Sequence, residues 1–297
     1  MSSSQLAMKL SNLNKKLDAF QLGPIDLAFE KDMVYAIVGE NGAGKSTLFS
    51  LMMNAHKPDT GEIEVFGEQY IDAPLAIKQR IGYASVRHFW EDYDVNRIDE
   101  LVKFISKWYD NWDDRYFWEL AGKLGLERSQ KLRKLSTGMQ QRLATAIALA
   151  IKPELLLLDE ATNGLDFRTA RLVHDEFIKF MEEPGKTIVF ATHILDDIKQ
   201  LADYIVYMHE GKILGTFEKD LLLGDWKVFW VEQLPGEAIR FEEVVDISRQ
   251  GHALTRVVSS DARVTEQRLA ELGVKVSSIQ ALELQEILIH LVETKFK

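Results

Sequence analysis

The sequence predicts an α/β fold followed by a small α+β domain, and three observations carry that prediction. Short apolar runs, "MVYAIVG" (33–39), "ELLLLDE" (154–160) and "TIVFATH" (187–193), alternate with stretches of helical periodicity. Unbroken apolar runs of this length suit strands covered on both faces, as in parallel sheets flanked by helices. A glycine-rich turn, "GENGAGKST" (39–47), follows the first run and opens a helix. Around 217–225 the alternation stops and hairpin-like patterns replace it.

The elements follow in order. Residues 5–38 alternate as strands and end in the run at 33–39. A helix is expected over about 45–54, then a strand between glycines, "GEIEVFG" (61–67), and another, "RIGYAS" (80–85). From 89 to 133 the pattern is helical and aromatic, and Phe104, Trp108 and Trp112 recur at helical spacing. "KLSTGMQQR" (134–142) reads as a turn feeding a helix. Ser136 is a good N-cap, Gly138 lies in the first turn, and the helix runs to about 151, ahead of Pro153. The strand at 154–160, a helix at 167–183, the strand at 187–193, a helix at 194–202 and the strand "YIVYMHEG" (204–211) complete the alternation. The second domain, 218–297, starts with "WKVFWVEQ" (226–233) and a hairpin, "VVDISRQGHALTRVVSS" (244–260). A helix near 263–272, the strand "VKVSSIQ" (274–280) and an amphipathic last helix follow. Leu282, Ile287, Leu288 and Leu291 are among the apolar residues of that last stretch.

The glycine-rich turn matches G-x-x-x-x-G-K-[ST] from Gly39 to Ser46. Its candidate phosphate ligands are Gly39, Asn41, Gly42, Ala43, Gly44, Lys45, Ser46 and Thr47. Glycines let backbone N–H groups approach phosphate oxygens, Lys45 neutralises their charge, and the Ser46 hydroxyl suits Mg²⁺. Such a site needs an acid at a strand end. Asp159 would hold Mg²⁺ through water, and Glu160 would polarise the attacking water. Two acids capping a turn are the plainer alternative, which the buried strand and the phosphate loop disfavour. His193 ends another apolar strand at the same carboxyl edge, where α/β folds bind ligands. It is a candidate donor to the γ-phosphate or the attacking water. The helix that Ser136 opens is a second anion site, through its dipole and free N–H groups.

Composition narrows the function classes. Hydrophobic residues are 46% and charged residues 28%, an ordinary globular balance. The absence of cysteine excludes a disulfide scaffold and thiolate metal sites. A net charge of −10, from 36 Lys+Arg against 46 Asp+Glu, disfavours nucleic acid as a partner. The "LLLL" at 155–158 is far short of a membrane span, and "MSSSQLAMKL" lacks a signal-peptide apolar region. The chain therefore reads as soluble, and work at a membrane would need another chain to hold it there.

Together these pieces resemble the ATP-binding cassette (ABC) transporter ATPases over residues 1–217. The subgroup is that of bacterial exporters with separate membrane subunits, whose sequences share phrases such as "KWYDNWDD" (107–114). "GENGAGKST" resembles the Walker A loop and "LLLLDE" the Walker B strand. "ATNGLD" resembles the D-loop, with Asp166, and His193 the switch histidine. "LSTGMQ" stands where the family has L-S-G-G-Q, with Ser136 23 residues before Asp159. The resemblance implies a P-loop NTPase cassette: a mixed sheet core, an antiparallel β subdomain and a helical subdomain at about 89–151. It implies ATP and Mg²⁺ as cofactors, with Ser46 and Asp159 on the metal and Glu160 and His193 catalytic. It also implies that Ser136, Thr137, Gly138 and Met139 act in trans, on the ATP held by a second nucleotide-binding subunit. The partners it implies are that subunit, in a homo- or heterodimer, and a transmembrane permease at the cytoplasmic side of the membrane. For residues 218–297 a dimerisation or regulatory role is expected.

Several positions depart from the family pattern. Thr137 and Met139 replace glycine and glutamine. Leu17 occupies the place of an adenine-stacking aromatic, with Phe20 as a substitute or a core residue. Val86 stands where a glutamine usually touches the metal, with Arg87 and His88 beside it. The aromatics of 89–118 serve either as core or as a groove for a membrane subunit. Two other function classes stay open: a soluble ATPase acting on ribosomes or DNA, and an inactive scaffold. The single cassette and the missing basic stripe speak against the first. Intact Lys45, Asp159, Glu160 and His193 speak against the second.

Overall fold

The computed structural model describes residues 5–17, 20–85, 95–236, 241–250 and 254–295. Val86, Arg87, His88, Phe89, Trp90 and Tyr93 lie outside the described residues. The chain divides into two compact units, Met1–Thr216 and Phe217–Lys297. Among the described residues, no helix is long and apolar enough to cross a membrane.

In the first unit, β1 (Leu6–Leu17) and β2 (Phe20–Glu30) pair antiparallel. Along β2 alternation buries Leu22, Ile25, Leu27 and Phe29 on one face. All five residues of β3 (Val34–Val38) are buried, as its apolar run requires. The glycine-rich turn leads into α1 (Lys45–Met52), which stops short of the expected 54 because Asn54 turns left-handed (φ 50°). Next, β4 (Thr60–Val65) pairs with β1. It turns at Phe66–Gly67, both with positive φ, into the short β5 (Glu68–Gln69), which the sequence reading did not anticipate. Such a pair is what a two-residue type I′ hairpin needs. After α2 (Pro74–Gln79) and β6 (Ile81–Ser85) come the helices α3 (Ile98–Ile105), α4 (Asp114–Lys123) and α5 (Thr137–Ala150).

The single helix expected from the spacing of Phe104, Trp108 and Trp112 does not form. They do not share a helix: α3 ends at Ile105, and Trp108 and Trp112 lie in the connection that precedes α4. The Asp113 carboxylate accepts from the Tyr116 N–H at 2.9 Å and starts α4 afresh. A capping acid outweighs a short periodic pattern. Trp112 packs on Phe117 instead, with ring centroids 5.4 Å apart.

The chain then re-enters the sheet through β7 (Leu155–Asp159), α6 (Phe167–Met181), β8 (Thr187–Ala191), α7 (Leu195–Leu201), β9 (Tyr204–His209) and β10 (Lys212–Glu218). The sheet order is β10-β9-β3-β8-β7-β6, and β9, β3, β8, β7 and β6 pair in parallel. Helix α1 fills the core: Leu48, Phe49 and Met52 pack with Met8 and Phe29 of the antiparallel sheet and with Leu157 and Val206 of the parallel one. Each such side chain contributes about 1.5–3 kcal/mol by leaving water.

The second unit contains α8 (Lys219–Asp225), β11 (Lys227–Val231), β12 (Val244–Gln250), β13 (Leu254–Ser259), α9 (Ala262–Glu271), β14 (Val276–Ala281) and α10 (Leu284–Lys295). Its sheet, β12-β13-β11-β14, is antiparallel throughout. The core holds Phe229, Val231, Val257 and Leu269. Helix α10 is held to its own unit by the Arg256–Glu286 ion pair and by His290 stacked on Trp226. Leu282, Ile287 and Leu288 are buried within the chain.

Candidate functional site

Three parallel strands end level with one another. Ile37 of β3 pairs with Ala191 of β8, and Ala191 pairs with Asp159 of β7. The residues that follow therefore leave the sheet at one carboxyl edge: the 39–47 loop, Thr192–His193 and Glu160. Open α/β sheets bind ligands at such edges.

The loop is shaped by crowding. A Cβ on Gly39 would lie 2.1 Å from the Met208 carbonyl oxygen. One on Gly44, which has φ 104°, would lie 2.6 Å from the Phe20 ring. Only glycine fits either place. Phe20 thus packs behind the loop, while Leu17 is 41% exposed. Asn41 and Gly42 are exposed, Ala43 is buried, and Thr47 is half-buried. Lys45 is only 6% exposed, and its Nζ donates to the carbonyl oxygens of Gly39 (2.7 Å) and Glu40 (3.0 Å). Burial lowers its pKa, against the pull of the Glu160 and Asp159 carboxylates.

Asp159 is equally buried, and burial pushes its carboxyl up, opposed by a hydrogen bond from Ser46. Glu160 adds to the rise and Lys45 counters it. Asp159 Oδ1 is buried with no protein partner. An orphaned hard oxygen beside a serine hydroxyl fits Mg²⁺, which prefers oxygen ligands. Glu160 sits in the left-handed region (φ 58°), a strained place for a side chain of this kind. Its N–H donates to the Ala191 carbonyl at 3.0 Å, and Asn163 Nδ2 donates to Oε2 at 3.0 Å. Oε1 lies 3.6 Å from Nδ1 of the half-exposed His193. Lys45, Ser46, Asp159, Glu160 and His193 are thus brought together.

Ser136–Met139 sit elsewhere, at the start of α5. Ser136 Oγ accepts from the Met139 N–H at 3.3 Å, which leaves the hydroxyl proton to donate. Thr137 is exposed, and Gly138 and Met139 are half-exposed. A Cβ on Gly138 would stand 3.1 Å from the Gly164 carbonyl, so this turn packs on the D-loop. Asp166 caps α6: it accepts from the Thr169 N–H (3.0 Å) and hydroxyl (2.7 Å), which hold its carboxyl below the usual range. A buried set, His174, Asp197, Thr162 and Thr192, lies behind the edge and was missed by sequence reasoning. Its members are up to 35 residues apart, and no motif spacing links them.

Known proteins similar to this chain point to one family. The family described as ABC transporter matches residues 22–163. The ABC transporter ATP-binding protein YtrB of Bacillus subtilis (strain 168) is 27% identical over 285 residues, or 95% of this chain and 97% of YtrB. The lantibiotic transport ATP-binding protein SrtF of Streptococcus pyogenes is 32% identical over 217 residues, covering 72% of this chain and 91% of SrtF. A solved dimeric ATP-binding cassette, in a post-hydrolysis state with ADP and Pi, is 26% identical with a TM-score of 0.61. That likeness covers 71% of this chain and 98% of that one. The matched family segment runs from β2 through the loop of Lys45 to the turn of Glu160. By the motifs it carries and the relatives it resembles, this chain belongs to the ABC transporter family, as one of its ATP-binding, ATP-hydrolysing proteins.

Proposed function

We propose that the chain binds MgATP on residues 39–47, closes on a second nucleotide-binding subunit and drives a separate transmembrane subunit from the cytoplasmic face of the membrane. The convergence of Lys45, Asp159, Glu160 and His193 on one sheet edge carries this reading. Lys45 is the cation that would offset the β- and γ-phosphate charge, and the loop N–H groups would bind the same oxygens. Ser46 and Asp159 would hold Mg²⁺, whose charge, when bound, further screens the phosphates. Glu160 accepts a proton from the attacking water, and His193 donates to the γ-phosphate. Export is the direction we favour, from the resemblance to exporter ATPases with separate membrane subunits. Lys45→Ala should weaken ATP binding at least about tenfold, since a buried charge-assisted contact is lost. Calorimetry reads this directly, and an unchanged affinity removes the site.

For residues 218–297 we infer a tether between two copies. The observation that favours it is β14, exposed along most of its length at the sheet edge, with Ile279 42% exposed. Unpaired edge strands recruit further strands. Tethering raises effective concentration without touching the ATP site. Deleting 218–297 should leave ATP affinity unchanged yet weaken nucleotide-free dimerisation about tenfold or more. Light scattering over a dilution series decides it, and equal dimerisation of both chains ends the idea.

A further inference from the structure

Behind the sheet edge, one buried carboxylate serves both catalytic turns. Asp197 Oδ2, on α7, accepts from the Thr162 hydroxyl and, at 3.0 Å, from the Thr192 hydroxyl. Thr162 lies two residues beyond Glu160, and Thr192 directly precedes His193. Thr192 Oγ1 also accepts from the Ile194 N–H at 3.0 Å, so the backbone is pinned on both sides of His193. The other oxygen of Asp197, Oδ1, lies 2.9 Å from Nε2 of His174 on α6. His174 Nδ1 faces Gln200 Oε1 at 3.0 Å. Both ring nitrogens therefore meet oxygen acceptors, and a ring protonated on both nitrogens satisfies both. Burial opposes the charge on the ring, but the bonds to Asp197 and Gln200 outweigh it and raise its pKa. Burial likewise tends to raise Asp197, and the donors His174 and Thr162 bring it below its usual range.

We propose that His174 is a positioning residue for ATP hydrolysis: through Asp197 it holds the Glu160 turn and the His193 turn in a single arrangement. The inference rests on the reading that Glu160 and His193 act on the γ-phosphate. The distances support a common clamp. A buried carboxylate has few lone pairs, and here they are divided between two threonines and one histidine. Without His174, Asp197 Oδ1 loses its partner and the carboxylate is free to rotate, releasing one threonine or the other. Small misplacements of catalytic groups cost rate rather than binding.

The test uses the full chain. His174→Phe keeps the bulk and removes both ring bonds; His174→Gln keeps one donor for Asp197. Thr162→Val removes a single hydroxyl. His174→Phe should lower kcat about tenfold with KM for ATP and calorimetric affinity within about twofold. Thr162→Val should show the same split at about threefold or more, and His174→Gln should recover to within about threefold of the unaltered chain. A folded His174→Phe chain with kcat within twofold, or with kcat and affinity falling together, overturns the proposal. If His174→Phe fails to fold, Thr162→Val decides alone, and an unchanged kcat there overturns it. A Glu160→Gln chain run alongside separates the two readings: retained turnover in that chain removes the site itself. Loss of turnover there with normal His174→Phe and Thr162→Val removes only the positioning role.

Discussion

Glu160→Gln lowers ATP turnover at least about a hundredfold and leaves ATP binding intact, the loss expected when a general base is removed. The change keeps the side chain's length and removes its proton affinity and its negative charge. Glutamine has the same length, and its carbonyl oxygen still accepts the Asn163 amide that now holds Oε2 at 3.0 Å. The backbone strain at φ 58° and the N–H bond to Ala191 are unaffected. What is lost is the capacity to take a proton from water at the edge shared with His193. Phosphate release at saturating MgATP measures it, and turnover within threefold of the unaltered chain removes Glu160 from this role. The same variant should elute earlier from a sizing column once MgATP is added. A γ-phosphate that is bound but not cleaved keeps the closed dimer closed.

Mixing a Ser136→Arg chain with a Lys45→Ala chain restores ATPase activity that neither has alone. Ser136 caps α5 and keeps a hydroxyl proton to donate, at a helix end whose dipole favours an anion. That end packs on Gly164, whereas residues 39–47 form the loop proposed to hold the chain's own phosphate. If it reads the partner's γ-phosphate, a mixed dimer has one site with both an intact Lys45 loop and an intact Ser136 turn. Random pairing makes about half the dimers mixed, each with one working site of two, so about a quarter of full activity should return. No recovery from demonstrated mixed dimers would mean that the signature acts within its own chain.

The elements of this fold that depend on local rules were legible in the sequence. Fully buried β3, β7 and β8 announce themselves as continuous apolar runs, because neither face of a central parallel strand meets water. Ser136 and the 39–47 loop are readable for a similar reason: helix capping and a tight glycine turn are satisfied within a few residues. The aromatic stretch was misread because three rings at helical spacing say nothing of Asp113, whose carboxylate breaks the run by capping the next helix. Likewise, the apolar residues of the last helix did not reveal that Arg256 and Trp226 already hold it.

The sequence by itself determined the family, the glycine-rich loop, the strand-end acids and the capped helix at Ser136, since each is written in contiguous residues. Only the tertiary structure decided that Ile37, Ala191 and Asp159 end level, so that Lys45, Glu160 and His193 meet. It alone decided that His174 and Asp197 stand behind them. Strand register and buried hydrogen bonds join residues far apart in the chain. Their partners are selected by packing and by the cost of leaving a buried polar group unpaired, and neither term has a sequence spacing.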